Sequence, residues 1–158
     1  MFQLVFFTLF TSGLTESQGK EIICNNSDIE LSYSFCDSVA HRFSFRLLPC
    51  SINEQPWFAT IFWIPRSDIV FLRYLLSSWY NGAKLLDIKK DVCSGFDDDY
   101  SFCGSLKGET INTTVRFSGL KITLKEGIYT IVLRGFSDHS EENLLMCVNS
   151  TLTIKRET

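Results

Sequence analysis

Residues Ile29-Glu30-Leu31-Ser32-Tyr33-Ser34-Phe35 alternate apolar and polar side chains without a break. Successive side chains on a strand point to opposite faces, so this stretch reads as a half-buried β-strand with Ile29, Leu31, Tyr33 and Phe35 on the core side. The pattern recurs outward from it. Phe43, Phe45 and Leu47 alternate with Ser44 and Arg46, Val115 and Phe117 flank Arg116, and Leu120, Ile122 and Leu124 alternate with Lys121 and Thr123. Turn chemistry falls between these runs, at Pro49-Cys50, Asn81-Gly82, Ser118-Gly119 and Glu126-Gly127. Two segments break the alternation: Trp57-Phe-Ala-Thr-Ile-Phe-Trp-Ile64 is apolar on both faces, and Ile128 to Leu133 nearly so. Such strands need cover on both sides, either as central core strands or as one wall of an apolar cavity. Ser67 to Tyr80 fits a helix capped by Ser67, with Ile69, Leu72, Leu76 and Tyr80 on one face. It also fits a long strand, and the strands on either side favour β. The expected fold is an all-β sandwich of two antiparallel sheets.

The chain has 158 residues, 45% hydrophobic and 14% aromatic, enough for one domain with a substantial core. A formal net charge of −3 offers no basic stripe for nucleic acid. Met1 to Ser17, MFQLVFFTLFTSGLTES, has a short apolar run and small residues near its end, the pattern of a signal peptide cut after Ser17. Residues 18–158 then form the secreted domain. No stretch reaches the roughly 20 apolar residues of a membrane-spanning helix.

Six cysteines (Cys24, Cys36, Cys50, Cys93, Cys103 and Cys147) follow the signal peptide, and an even count there implies three disulfides. Spacing does not choose among the possible pairings. Zinc is disfavoured, because no C-x₂-C pair exists and only His41 and His139 could join the cysteines. Both histidines sit in polar surroundings and are expected at the surface. Asn25, Asn112 and Asn149 begin N-glycosylation sequons, expected at exposed turns or strand edges. No nucleophile elbow, metalloprotease motif, phosphate loop or dinucleotide fingerprint occurs, so neither catalytic residues nor a cofactor are expected. The densest charge run is Asp97-Asp98-Asp99. Three consecutive carboxylates lack the alternation of a calcium loop. If Cys93 pairs with Cys103, that bridge would hold the three carboxylates outward as a preordered docking loop.

Asp97-Asp-Asp-Tyr-Ser-Phe-Cys103, followed by Leu106-Lys-Gly-Glu-Thr110 and Asn112-Thr-Thr114, resembles the ML lipid-recognition family, in its branch of Toll-like receptor 4 co-receptors. Cys24-Asn25, Tyr33 to Asp37, Pro49-Cys50, Ile64-Pro65-Arg66, Asp68 and Glu141-Glu142 before Cys147 extend the resemblance along nearly the whole domain. It implies an immunoglobulin-like β-sandwich with an apolar lipid cavity between the sheets, and the pairings Cys24–Cys50, Cys36–Cys147 and Cys93–Cys103. Cavity positions carried over are Leu31, Phe43, Phe45, Leu47, Ile61, Trp63, Ile69, Leu72, Tyr74, Leu76, Phe102, Val115, Phe117, Leu124, Tyr129, Ile131, Met146 and Val148. Head-group contacts carry over to Lys89, Ser118, Lys121 and Lys125, and receptor contacts to Arg66, Asp97, Asp98, Asp99, Lys107 and Glu109. The implied function is binding of lipopolysaccharide, through the acyl chains of its lipid A, and its presentation to the Toll-like receptor 4 ectodomain in innate immune signalling. The alternative is a soluble carrier of sterol or other lipid. The chain departs from the family where a free cysteine becomes Ile131, where a phenylalanine becomes Gly119, and where the lysine rim thins and gains Glu126. These departures imply altered selectivity for bis-phosphorylated lipid A.

Overall fold

A computed structural model describes residues 19–39, 41–96, 98–117 and 123–155, with Phe117 described through its backbone alone. The predicted signal peptide, Asp97, Ser118, Gly119 and Lys121 lie outside these residues. The described chain forms β1 (Glu21–Asn25), β2 (Ile29–Phe35), β3 (Arg42–Leu48), β4 (Trp57–Ile64), β5 (Leu72–Tyr80), β6 (Ala83–Cys93), β7 (Ile111–Phe117), β8 (Gly127–Phe136) and β9 (Leu144–Ile154). One sheet has six strands in the order β1-β2-β9-β8-β5-β6, and the other has three in the order β3-β4-β7. All pairings are antiparallel. The two-sheet expectation therefore holds.

The ambiguous segment resolves to strand from Leu72 onward. The Asn81-Gly82 turn links it to β6, with both residues at positive φ (47° and 83°), the geometry a tight two-residue hairpin requires. Gly127, at φ 143°, admits no side chain, because a Cβ there would sit 2.6 Å from the Tyr80 ring. Around Leu124 the expected strand is absent over residues 123–125, and 118–122 lie outside the described residues. β1, β6 and β9 went unpredicted. In β6 every residue from Ala83 to Asp91 is exposed, so no buried stripe marks the strand. Its Lys84, Asp87, Lys89, Lys90 and Asp91 suit an open sheet edge, where charge discourages pairing with another chain.

The core is divided. Trp63, Ile69, Cys93, Ile111 and Leu145 form one buried cluster, with Phe43, Ile61, Leu72, Phe102 and Met146 packed on it. Cys24, Ile29 and Ile154 form a second, joined by Leu31, Ile52, Leu124, Tyr129 and Leu152. Burying a large apolar side chain contributes about 1.5–3 kcal/mol, so each cluster pins its own region of the sandwich. The three disulfides are the pairs the resemblance implied. Cys24–Cys50 ties β1 to the turn after β3, across the two sheets. Cys36–Cys147 locks the end of β2 to β9 within one sheet, where Cys36 N–H also donates to Cys147 O at 2.9 Å.

Candidate functional site

The register places three apolar rows on the inner face of the small sheet. Phe43, Trp63 and Ile111 form the first, Phe45, Ile61 and Thr113 the second, and Leu47, Ala59 and Val115 the third. Opposite them, Leu31, Leu152, Tyr129 and Tyr80 share one row of the large sheet, followed by Tyr33, Ser150, Ile131 and Ser78, then Phe35, Val148, Leu133 and Leu76. Trp63 is buried within the first cluster. By contrast, Phe45, Leu47, Val115, Ile131, Leu133 and Leu76 are only half-buried although they face inward. Closely packed sandwiches bury both inner faces in an interdigitated core. Here the inward-facing rows between the two buried clusters keep part of their surface accessible. This incompletely covered region is the candidate lipid gap; among the described residues its walls are mainly apolar, with Ser78, Thr113, Ser150, the inward tyrosines and Lys90 of β6 as polar groups.

The structure sorts the expected cavity residues. Phe45, Leu47, Tyr74, Leu76, Val115 and Ile131 line the gap with part of their surface accessible. Phe43, Ile61, Leu72, Phe102 and Met146 bound it from the first cluster, and Leu31, Leu124 and Tyr129 from the second. Ile69 is 0% exposed and belongs to the core, with no surface left for a ligand. Val148, like Trp63, is a buried wall residue. Leu133 and Leu152 were missed, though period-2 spacing from Ile131 and Val148 points to both. At the second cluster the Tyr129 hydroxyl donates to Lys125 O at 3.1 Å and accepts from Lys125 N–H at 2.9 Å, fixing Lys125 near this end with its side chain exposed. The Tyr33 hydroxyl bonds Glu21, and its burial, followed by that carboxylate, pushes its pKa well up.

Lys89 requires a correction. It pairs with Leu75 while Ile88 pairs with Leu76, so Lys89 points to the outer face and Lys90, opposite Tyr74, shares the gap face. A one-residue step reverses the face of a strand side chain. Lys89 is engaged there by Glu141. Arg73 on the same face donates to Asp91 at 2.6 and 3.0 Å, to His139 O at 3.0 Å and to Glu141 at 3.3 Å. The Arg73 guanidinium holds the Asp91 carboxyl below the usual range, and Lys89 first, then Arg73, does the same for Glu141.

The expected receptor residues gather at the end capped by Cys93–Cys103. Ile69 N–H donates to Ser105 O and Gly104 N–H to Ile69 O, both at 2.8 Å, while Gly108 N–H donates to Pro65 O at 2.9 Å. Lys107 N–H donates to Asp68 Oδ1 at 2.8 Å. These bonds lay residues 65–69 along residues 104–108, so Arg66, Lys107 and Glu109 come together with their side chains exposed, beside the disulfide-closed loop. Asp99 is exposed, but Asp98 is not held outward as expected. Its carboxylate accepts Ser94 N–H and Ser94 Oγ–H at 2.8 Å and Gly95 N–H at 3.1 Å. Those donors, the Ser94 amide foremost, hold its pKa below the usual carboxylate range. Asp98 thus closes the loop from within. Cys93 and Cys103 cluster with Asp98, but the bridge consumes both thiols, so they offer no thiolate to a metal.

His41 also departs from expectation. Its side chain is 1% exposed, stacks on Phe35 at 4.5 Å and places Nε2 2.7 and 2.8 Å from the Asp37 oxygens. Asp37 Oδ2 in turn accepts Cys147 N–H at 2.9 Å. This unit braces the Cys36–Cys147 bridge. His139 packs its ring against Phe71, centroid to centroid 3.8 Å, and remains an exposed residue.

Among the described residues, nine strands in a two-sheet, disulfide-braced sandwich with an incompletely covered apolar interior have the architecture of the ML lipid-recognition class. The crystal structure of chicken MD-1 complexed with lipid IVa superposes with a TM-score of 0.74 at 20% identity, covering 87% of this chain and 98% of that one. No protein-family model matches the chain. Lymphocyte antigen 96 of Homo sapiens is 40% identical over 146 residues, 92% of this chain and 91% of the relative. The Cricetulus griseus protein of that name is 39% identical over 150 residues, 94% and 93% respectively. The chain belongs to the lymphocyte antigen 96 family.

Proposed function

We propose that this protein is a secreted co-receptor that takes the acyl chains of lipid A between its sheets and docks on the Toll-like receptor 4 ectodomain. Residues 1–17 would direct secretion, and residues 18–158 would form the binding domain. The observation that carries the reading is the row of half-exposed apolar side chains facing inward between two closed clusters. Each methylene moved from water into such a gap contributes about 0.8 kcal/mol, so several acyl chains bind tightly without any chemical step. The lipid IVa held by chicken MD-1, a protein of the same fold, fits this use of the gap.

Arg66, Asp99, Lys107 and Glu109 supply a charged surface at one end. Fixed charges on a loop closed by Asp98 and the Cys93–Cys103 bridge would orient docking and speed encounter. Head-group phosphates would meet Lys125 and Lys90, with Lys121 on the segment beyond the described residues. Lys89, facing outward against Glu141, contributes little. Selectivity for bis-phosphorylated lipid A is accordingly weaker than in a fully lysine-rimmed relative.

Mass spectrometry of lipid extracted from the purified secreted protein tests the first half, with acylated lipid A expected and a sterol pointing to a carrier instead. Replacing Asp97 and Asp99 with Ala tests the second half. Co-precipitation with the receptor ectodomain should fall while lipid loading persists, and undiminished co-precipitation would defeat the co-receptor reading.

A further inference from the structure

The outer face of the three-stranded sheet leaves apolar surface in water. Leu48 is 64% exposed, Phe58 42% and Phe62 37%. A strand apolar on both faces needs cover on both sides, and on this side of β4 the side chains remain accessible. The register states what stands next to them. Phe62 pairs directly with Asn112 of β7, while Phe58 pairs with Arg116. Directly opposed residues on antiparallel strands carry their Cβ atoms about 4.5–5.5 Å apart on the same face. Asn112 is exposed, lies on an edge strand and opens the sequon Asn112-Thr113-Thr114. The Thr114 hydroxyl lies on that same face, 3.0 Å from Thr60 Oγ1.

The other sequons lack this setting. Asn149 lies on β9, between β2 and β8, half-buried with its Oδ1 shut from solvent. Asn25 is exposed, but it pairs with Glu30 rather than an aromatic residue, and its Oδ1 accepts Lys155 Nζ at 3.0 Å.

We propose that Phe62 is the platform for an N-linked glycan on Asn112, the first N-acetylglucosamine lying on the ring and covering the outer face of β4. A pyranose presents a face of weakly positive C–H groups, and an aromatic ring presents a negative face. Stacking the two removes apolar ring surface from water at a site already fixed by the ladder. The glycan thereby supplies the missing layer on a face whose apolar side chains would otherwise promote association between copies.

The test uses full-length protein secreted from mammalian cells, as parent, Phe62→Thr, Asn112→Gln and the double variant. Thr suits an exposed strand position, so each variant should fold. Phe62→Thr should lower Tm by about 2–4 °C more in the glycosylated background than in the Asn112→Gln background. Ile22→Thr, at an exposed apolar position on β1 of the other sheet, is the control and should give equal shifts in both. In NMR spectra of isotope-labelled glycan, resonances of the first sugar should be displaced by the ring and return to ordinary positions in Phe62→Thr. Intact mass showing Asn112 unmodified overturns the proposal, as does an equal Tm loss in both backgrounds or a sugar spectrum indifferent to Phe62. None of these readouts depends on lipid or receptor, so they stand apart from the co-receptor test.

Discussion

Removing the disulfides one at a time should separate stability from docking. Cys93 and Cys103 are 10 residues apart, Cys24 and Cys50 26, and Cys36 and Cys147 111. In the chain-entropy account, opening these loops releases about 2.7, about 3.5 and about 4.8 kcal/mol of unfolded-state entropy respectively. The Cys36/Cys147 double Ala variant should therefore lie about 2 kcal/mol below the Cys93/Cys103 variant. With a urea slope of about 2 kcal/mol/M, the midpoints should differ by about 1 M. The assay is urea unfolding followed by tryptophan fluorescence, with the slope checked for constancy. Function should follow the opposite order. Cys93→Ala with Cys103→Ala frees the loop beside Arg66, Lys107 and Glu109, so receptor capture should drop most there, while the gap between the sheets still loads lipid. A Cys93/Cys103 variant that loses as much stability as the Cys36/Cys147 variant, or that captures receptor like the parent, would refute this division of labour.

Three further outcomes follow from particular contacts. Ile131→Lys puts a charge on the gap wall and should exclude the two or three methylenes nearest it, about 2 kcal/mol or about 30-fold in lipid affinity by titration; Ile128→Lys on the opposite, exposed face should leave affinity unchanged. The depressed Asp98 carboxyl stabilises its loop above the ordinary carboxylate range and loses that effect as pH falls through the lower folded value. Hydrogen exchange at Ser94 and Gly95, corrected for intrinsic rates, should stay slow down to about pH 4 and accelerate below it, whereas Asp98→Asn should exchange faster at neutral pH. His41→Phe keeps a ring on Phe35 but strips Asp37 of its imidazole partner, leaving it only backbone donors, which should cost about 1–3 kcal/mol in urea unfolding.

Much of the fold is legible in the sequence. Period-2 alternation at Ile29–Phe35 and Phe43–Leu47 follows from local geometry, so β2 and β3 fall where the pattern puts them. The paired Trp57–Ile64 run was recognisable as a strand, and the Asn81-Gly82 turn carried its own signal. Cysteine parity pointed to three bridges, and the family resemblance supplied their partners. These features are written within a few residues of chain.

What only the tertiary structure decided is which side of each strand meets what. The core divides into two clusters, and between them Phe45, Val115 and Ile131 stay half-covered; no local pattern distinguishes a packed interior from an open one. Lys89 and Lys90 differ by one residue and face opposite ways, a consequence of the β5–β6 register. His41 looked like a surface residue beside polar neighbours until Asp37, Phe35 and the Cys36–Cys147 bridge closed around it. Asp98 left the acidic row because Ser94 and Gly95 offer it backbone donors. The physical reason is common to these cases: alternation fixes spacing along one strand, whereas burial and charge pairing are set by partners distant in sequence.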